Sequence, residues 1–350
     1  MAVTVRIMFS VLIIYLGCDH CGDCRPEGKS KAGRSSINRY LDQTEMNDVL
    51  QINDYFNNGG PVCGRRYVVN GELRREVKGD NSTDDIDDDS DMDKILGGGF
   101  ATYGEFPWIA NILYDNVHLC GGSIISEFWV ITAAHCLDSG IKELYSIAVG
   151  DHTLWKLDTH ETKYNVDSVF LQGRYHPGSF DYDIGLIKVK PDRNGRGIKF
   201  NAYVQPSCLP LDSRILAVNT QMVIAGWGNT AQSGNQSVIL KKVRVPLMWH
   251  SECITSHPKV ITPNMFCVGT IGHSVANGTA CHGDSGGPAF SQTPDGVVLY
   301  GIISFGNGCR DTKEATVLIN VSRFRAWIVS TIKANSKGIQ AFMPIRRNPF

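Results

Sequence analysis

The sequence of 350 residues lacks an excess of charge of either sign, because its formal net charge is −1. We therefore expect no nucleic-acid partner, since binding to a phosphate backbone needs a basic surface. The sequence also lacks an apolar run long enough to cross a bilayer, which takes about 20 residues. The best candidate, residues 7–16, is too short, so we expect no contact with a membrane.

Cysteine, in contrast, is plentiful: the chain has 11, which is typical of proteins that fold in an oxidising compartment. Residues 7–16 follow a single basic residue, Arg6, as in a secretory signal peptide. We predict a signal peptide over residues 1–18 and a secreted, extracellular protein. The alternative is that the apolar run forms a buried strand or short helix.

The polar region that follows, residues 19–94, ends in an acidic tract at residues 84–93. Like charges at this density repel one another and favour an extended, solvated chain. We predict that residues 19–94 are largely irregular. A weak amphipathic pattern over residues 40–56 is the one candidate helix.

From residue 95 the sequence changes to short β-rich runs separated by Gly, Pro, Asn and Asp turn signals. This alternation predicts an all-β domain over residues 95–335. Apolar side chains at helical spacing predict a helix over residues 322–333, with Ser322 as its N-cap. Residues 336–350 are predicted to form a C-terminal tail.

Three short motifs contain side chains that carry chemistry. Residues 283–288 read Gly-Asp-Ser-Gly-Gly-Pro, residues 132–136 read Thr-Ala-Ala-His-Cys, and residues 181–187 place an aspartate before a buried strand. Each motif alone has a plain structural explanation, such as a glycine turn or a polar residue that ends a loop. In the order His, Asp, Ser, however, the chain resembles the chymotrypsin/trypsin family of secreted serine proteases over about residues 95–333.

This resemblance implies two six-stranded antiparallel β-barrels packed together with a C-terminal helix. It implies that Ser285 attacks the scissile carbonyl, that His135 moves the proton, and that Asp183 orients the histidine. It also implies that the backbone N–H groups of Gly283 and Ser285 form the oxyanion hole. No cofactor is required for this chemistry, and the partners are protein or peptide substrates, with protein protease inhibitors as further candidates.

The resemblance also implies a zymogen, because residues 95–98 (Ile-Leu-Gly-Gly) resemble the mature N-terminus of the family. Cleavage between Lys94 and Ile95 would free an ammonium group that pairs with the buried carboxylate of Asp284. The acidic tract resembles the activation peptide of trypsinogens, which implies a trypsin-like activating protease. The alternative is that the tract is a solvating linker or a loose cation binder.

Family resemblance further pairs the cysteines and predicts a pro-segment that stays tethered after cleavage. Cys21 and Cys24 remain unassigned, either as a local disulfide or as bonds to a partner. The implied pairs are Cys120–Cys136, Cys253–Cys267, Cys281–Cys309 and the tether Cys63–Cys208.

The residues that are expected to shape the substrate pocket are not acidic. Thr279 stands where trypsin-like enzymes place an aspartate, and Ser304, Phe305 and Gly306 are expected to form one wall. Thr316 stands where an open pocket carries glycine, which would make the pocket shallow. We expect an elastase-like preference for medium or small apolar residues, with an aromatic preference as the alternative. Asp311 or Glu314 is a further alternative, as a displaced charge for basic side chains.

The loop from residue 151 to residue 161 resembles the calcium loop of the family. Carboxylates at Asp151, Asp158 and Glu161 would suit a structural Ca²⁺, which prefers oxygen ligands. A solvated acidic loop is the alternative. Among four Asn-x-Ser/Thr sequons, Asn81 and Asn235 lie in polar sequence and are the predicted glycosylation sites.

Three functions remain in competition on the sequence. The first is a regulated extracellular endopeptidase in a proteolytic cascade, which the long tethered pro-segment favours. The second is a digestive elastase-like or chymotrypsin-like protease, and the third is a non-catalytic binding homologue.

Overall fold

The computed structural model describes residues 63–69, 72–73, 98–210, 216–229, 234–257, 261–269, 280–293, 296–306 and 315–336. Several predicted features lie outside these residues: the signal peptide, the acidic tract, Lys94, Ile95, Thr279, Cys309, Asn81 and the C-terminal tail. Within the described residues, no helix has the length and apolar character needed to cross a membrane.

The first described elements are short and lie before the main domain. Strands β1 (Val68–Val69) and β2 (Glu72–Leu73) pair as an antiparallel hairpin. Strand β3 (Gly99–Phe100) then pairs with a later strand at Lys241 and Lys242. The chain that leads into the domain therefore already makes backbone contacts with it.

The first barrel is closed and contains six antiparallel strands in the order β4-β5-β6-β9-β8-β7, with β4 paired to β7. Apolar side chains explain the closure, because every residue of β6 and β7 is buried in the barrel core. The strands are β4 (Ile109–Tyr114), β5 (Val117–Ser126), β6 (Trp129–Thr132), β7 (Tyr145–Val149), β8 (Thr162–Leu171) and β9 (Gly185–Val189). Two 3₁₀ helices, Ala134–Leu137 and Lys142–Leu144, connect β6 to β7.

The second sheet has the strand order β12-β15-β14-β13-β10-β11-β3. A bridge between Leu247, which follows β11, and Val268 in β12 brings these two strands together, since Met248 N–H donates to the Cys267 carbonyl at 3.0 Å and Gly269 N–H to the Pro246 carbonyl at 3.0 Å. Its strands after β3 are β10 (Gln221–Gly226), β11 (Lys241–Pro246), β12 (Met265–Val268), β13 (Pro288–Thr293), β14 (Gly296–Gly306) and β15 (Thr316–Asn320).

The predicted all-β, two-barrel architecture with a C-terminal helix is thus confirmed, with β3 as an additional strand on the edge of β11. Helix α1 (His250–Ser256) precedes β12, and helix α2 (Arg325–Asn335) ends the described chain. The predicted cap is wrong in detail: a 3₁₀ turn, Val321–Phe324, precedes α2, and the Asn320 side chain accepts the Ser322 N–H at 3.2 Å. Asparagine satisfies this free backbone donor as well as serine would.

Candidate active site

The first barrel supplies His135 and Asp183. His135 lies in the 3₁₀ helix that directly follows β6, and a disulfide between Cys120 and Cys136 ties this turn to β5. Asp183 lies just before β9, whose first residue, Gly185, pairs with Thr132, the last residue of β6. Because two paired strands end beside each other, the residues that follow one strand and precede the other come together.

Asp183 is fully buried and its carboxylate accepts three hydrogen bonds. His135 donates its backbone N–H at 2.8 Å, and its ring Nδ1 lies 2.8 Å from the other carboxylate oxygen. The hydroxyl of Ser304 donates to that same oxygen at 2.5 Å. A buried carboxylate costs free energy unless it is hydrogen-bonded, and these three donors meet that need. The histidine ring is thereby held by Nδ1, and its Nε2 remains for chemistry.

The second barrel supplies Ser285, in the turn that leads into β13. The turn is pressed against the first barrel, since Gly121 N–H donates to the Ser285 carbonyl at 2.8 Å. Gly286 has φ +75°, and a Cβ there would collide with Thr132 and the Gly121 carbonyl. Only glycine fits this conformation and this close approach, so the sequence motif and the packing explain each other.

The turn that contains Ser285 packs beside the one that contains His135, since a Cβ on Gly286 would lie 3.1 Å from Sγ of Cys136, but the structure does not join the two side chains. No hydrogen bond links the Ser285 hydroxyl to His135 within the described chain, and His135 Nε2 lies 3.7 Å from Sγ of Cys136. Hydrogen bonds between catalytic groups are often long without substrate. The histidine–aspartate pair is therefore formed, whereas the serine–histidine contact is not.

Two backbone donors in the serine turn, one on each side of Asp284, have no acceptor among the described residues. The N–H groups of Asp284, Gly286 and Gly287 donate to carbonyls of the surrounding chain, at distances of 2.7 to 3.0 Å. The N–H groups of Gly283 and Ser285 donate to no acceptor among the described residues. Unpaired backbone donors are rare in folded proteins, and a pair of them beside a serine can bind a negatively charged oxygen.

Asp284 points away from Ser285 into the second barrel. Gly228 N–H donates to its carboxylate at 2.7 Å and Cys281 N–H at 2.8 Å. Burial raises the pKa of Asp284 to about 6, against the effect of these two bonds and of the charge on Lys241. A small cavity lined by Ile224, Ala225, Gly226, Val243, Ala280 and Ile303 adjoins the carboxylate.

Comparison with known proteins agrees with this arrangement. A family model described as Trypsin matches residues 95–328, which is more than half of the chain. The chain belongs to the trypsin family of serine proteases. It is also 34% identical over 250 residues to Transmembrane protease serine 9 of Rattus norvegicus, an alignment that covers 70% of this chain and 23% of that relative. The chain thus spans less than a quarter of the relative's length.

Three of the predicted pocket residues in this trypsin-family chain, Ser304, Gly306 and Thr316, differ from one another in the groups that they contact. The Ser304 side chain faces Asp183 and is 2% exposed, so it acts on the aspartate instead of lining a wall with its hydroxyl. Gly306 on β14 pairs with Thr316 on β15, and among the described residues a Cβ on Gly306 would meet the Ala315 carbonyl alone, at 3.6 Å. Thr316 is buried, and its hydroxyl oxygen accepts the Ala280 N–H at 3.2 Å.

One aromatic residue beside His135, Phe180, was not predicted from the sequence, whereas its neighbour Phe305 belongs to the predicted wall. The ring of Phe180 packs edge-on against the His135 ring at 5.6 Å between centroids, and Phe305 lies 5.5 Å from Phe180. Phe180 has φ +54°, an uncommon conformation for a bulky residue. The signal was weak, because an isolated phenylalanine in a loop matches no periodic pattern.

Three disulfides are present among the described residues: Cys63–Cys208, Cys120–Cys136 and Cys253–Cys267. Cys281 is also disulfide-bonded, although the predicted partner Cys309 lies outside the described residues. Beyond Cys63, Gly64 N–H donates to the Pro206 carbonyl at 2.7 Å and Val68 is 1% exposed. The segment that begins at Cys63 is therefore both cross-linked to the domain and packed on it.

The predicted calcium ligands lie together. Carboxylate oxygens of Asp151, Asp158 and Glu161 are all within 4.8 Å of one another. Within the described chain, Oδ1 of Asp151 is buried without a hydrogen-bond partner. Burial, and then the charges of Glu161 and Asp158, raise the pKa of Asp151 to about 6, against the Asn111 amide that lowers it. An oxygen-rich site with an unsatisfied buried carboxylate fits a divalent cation.

Proposed function

We propose that this chain is a secreted serine endopeptidase, and that Ser285, His135 and Asp183 hydrolyse the peptide bond. The observation that carries the proposal is the buried Asp183 carboxylate, which holds His135 Nδ1 at 2.8 Å beside a serine turn with two unused N–H groups. The first barrel thus supplies the base, His135. The second barrel supplies the nucleophile, Ser285, and the two N–H groups that would bind the negatively charged oxygen. A binding homologue would have no need for these three features together.

The reaction would proceed in two steps. As the Ser285 oxygen attacks the scissile carbonyl, Nε2 of His135 takes the hydroxyl proton and later gives it to the leaving amine. The carbonyl oxygen becomes negatively charged and is stabilised by the N–H groups of Gly283 and Ser285. Water then attacks the acyl-enzyme, loses a proton to His135, and releases the acid and Ser285. Asp183 stabilises the imidazolium in both steps.

We further propose that the chain is a zymogen, activated by cleavage between Lys94 and Ile95. The buried carboxylate of Asp284 and its adjoining cavity support this, since the freed ammonium of Ile95 would provide a full positive charge in place of two backbone donors. An ion pair there would stabilise the turn that carries Gly283 and Ser285. The activator would be a trypsin-like protease, because residue 94 is lysine.

For the pocket we propose a preference for small or medium apolar residues. Thr316 on β15 is buried and pairs with Gly306 on β14, which supports a narrowed pocket. Neutral Thr279, by its place in the sequence, supplies no charge for a basic side chain. It follows that the enzyme would not cut its own Lys94 site, which requires a separate activator.

We propose that the pro-segment stays attached after activation and that the enzyme acts in a regulated extracellular cascade. The Cys63–Cys208 bond and the packed residues behind it support this. Electrophoresis of the cleaved protein tests it: the pro-segment should separate only after reduction. A pro-segment that separates without reductant would refute the tether. A digestive role remains the second candidate, supported by the trypsinogen-like acidic tract.

We propose that the loop at residues 151–161 binds a structural Ca²⁺ and that Asn235, whose side chain is exposed, carries a glycan. Calcium would offset most of the negative charge of the three clustered carboxylates and would take no part in the chemistry. Millimolar Ca²⁺ should raise the melting temperature of the native protein, whereas Glu161→Gln should abolish the rise. An equal rise in the variant would contradict the site.

The test of the main proposal is hydrolysis of casein and of a peptide library. The chain would be cut after Lys94 with immobilised trypsin, which is then removed, and Ser285→Ala would be treated identically. We expect cleavage after apolar residues with the native chain and none with the variant. Equal activity of the two preparations, or no activity of either, would refute the proposal and favour a binding homologue.

A further inference from the structure

Lys241, on β11, is a buried lysine that the proposed reaction does not use. It is 6% exposed, although lysine is almost never fully buried unless its charge is paired. Burial lowers the pKa of Lys241, and the negative charge of Asp284 raises it. Burial likewise raises the pKa of Asp284, and the positive charge of Lys241 lowers it. Each of the two groups therefore favours the charged form of the other.

The strand pairing explains why these two groups lie on one face of the second sheet. Lys241 pairs directly with Gly226 on β10, and the side chains of directly paired residues point to the same face of a sheet. A Cβ on Gly226 would collide with Oδ1 of Asp284. The Asp284 carboxylate therefore occupies the place beside Lys241 that a side chain at residue 226 would take.

On its other side, Lys241 pairs with Phe100 on β3. Its Nζ lies 5.2 Å from the centroid of the Phe100 ring, a distance at which the face of an aromatic ring attracts a cation. Strand β3 begins at Gly99, four residues after Ile95. Lys241 thus lies between the strand that follows the activation site and the carboxylate with which the freed Ile95 would pair.

The charge that reaches Asp284 matters because this residue lies between the two N–H groups that would bind the oxyanion. Its carboxylate accepts two backbone N–H groups, which carry partial charges only, and a buried carboxylate is stabilised further by a full positive charge. Ile95 cannot supply that charge before cleavage, because its nitrogen is then part of a peptide bond. Among the described residues, Lys241 is the cation whose charge acts on Asp284.

We propose that Lys241 supplies positive charge to Asp284 before cleavage, so that the uncut chain keeps a low activity of its own. The inference rests on the proposed function as a protease zymogen. The uncut chain would exchange between a formed and an unformed serine turn, and the charge of Lys241 would raise the fraction in which the turn is formed. After cleavage the Ile95 ammonium would pair with Asp284. Lys241 is therefore a positioning residue of the uncut chain alone.

The test measures the rate at which a fluorophosphonate labels Ser285 in full-length chains that differ at Lys241. Lys94→Gln keeps the chain uncut. In this form Lys241→Met, which keeps an unbranched side chain without a charge, should lower the labelling rate about 10-fold. Lys241→Arg keeps the charge and should retain most of the rate. When residue 94 is lysine and the chain is cut with immobilised trypsin, both variants should be labelled at the native rate.

Lys242→Gln is the matched control. Lys242 is the next residue of β11, so its side chain points to the opposite face of the sheet, and its Nζ lies 2.7 Å from Oε1 of Glu105. Glutamine can still donate to that carboxylate, so the control should be labelled at the native rate in both the uncut and the cut form. Lys241→Gln provides a second variant in case Lys241→Met does not fold, and it should show a similar loss because its amide is neutral.

The outcomes separate the two proposals. A native chain that is not labelled after cleavage would refute the protease function itself. If the cut native chain is labelled, the role of Lys241 alone would be refuted by an uncut chain that is not labelled, or by an uncut chain that is labelled equally fast with and without Lys241→Met. An equal loss of rate in the uncut and cut forms of Lys241→Met would also refute it, because the lysine would then support the fold and not the uncut state.

Discussion

The two halves of the active site differ in how completely their polar groups are paired. In the first barrel, the buried Asp183 accepts three hydrogen bonds, and His135 is held through both its backbone and its ring. In the second barrel, the Ser285 hydroxyl lacks a bond to His135, and two neighbouring N–H groups donate to nothing in the described chain. One half is complete in the free protein, whereas the other is left open for substrate.

This difference separates stability from activity. Groups that are paired in the free protein contribute to both, because their loss leaves a buried partner unsatisfied. Groups that are unpaired contribute mainly when the transition state forms. Substitutions in either half should therefore lower activity. Only substitutions in the half that the first barrel supplies should also lower the stability of the fold.

The largest contrast is expected between Ser285→Ala and Asp183→Asn. Ser285→Ala should lower kcat by about 10⁶-fold, and Asp183→Asn by about 10⁴-fold. Only Asp183→Asn should destabilise the fold, by about 1–3 kcal/mol, since an amide NH₂ would face a donor. Steady-state kinetics and urea unfolding of both variants measure this contrast. Equal loss of stability in the two variants would remove the distinction between the halves.

Asp284 should make the stability of the uncut chain depend on pH between about 4 and 6, and that of the cut chain independent of pH there. In the uncut chain the pKa of Asp284 is raised to about 6, so its stabilising contribution is present below the unfolded value of 3.8 and is lost as pH rises through about 6. Pairing with the Ile95 ammonium should lower this pKa below its ordinary value, so in the cut chain the contribution of Asp284 should be fully present above the unfolded value and should not change over the same range. Calorimetry from pH 4 to pH 7 measures both forms.

Asp284→Asn in both forms is the control for this pH dependence. It removes the titrating group, so the difference in slope between the uncut and cut chains should disappear. Slopes that already agree in the native protein would contradict the pairing of Ile95 with Asp284.

Ser304→Ala should give the smallest decrease in kcat and would refine the account of the paired half. The variant loses one of three bonds to Asp183, so we expect a stability loss of about 1.5–3 kcal/mol and a decrease in kcat of roughly tenfold. Ser207→Ala is a matched control, because this buried hydroxyl donates to the neutral Ile124 carbonyl at 3.2 Å. It should cost about 1 kcal/mol and leave kcat unchanged. A larger loss in the control would show that burial, not the charge on Asp183, sets the effect.

Much of the site could be predicted because the relevant residues lie in short motifs beside strands. Apolar runs predicted β6 and β9, and the polar residues at their ends are His135 and Asp183. Ser304 was predicted by family resemblance to lie in one wall of the pocket, and the structure adds that its hydroxyl donates to a carboxylate supplied by the other barrel. No local pattern contains such a contact, because it arises only when the barrels pack.

The same reason explains why Phe180 was not predicted. Its ring meets the rings of His135 and Phe305, which lie far from it along the chain, so these contacts leave no spacing that could be read locally. The additional strand β3 was missed because two residues are too few for a periodic signal. The motif residues were found from sequence, while their supporting contacts required the fold.

The most direct test of the difference between the two halves of the active site is the rate at which a fluorophosphonate labels Ser285 before and after cleavage at Lys94. The reagent needs a reactive serine and a formed oxyanion hole but no particular substrate pocket. We predict that the cut chain is labelled at least about 100-fold faster than the uncut chain, and that Ser285→Ala is not labelled. Equal rates in the cut and uncut chains would contradict the account, because the turn that contains Gly283 and Ser285 would then be reactive without the ion pair between Ile95 and Asp284.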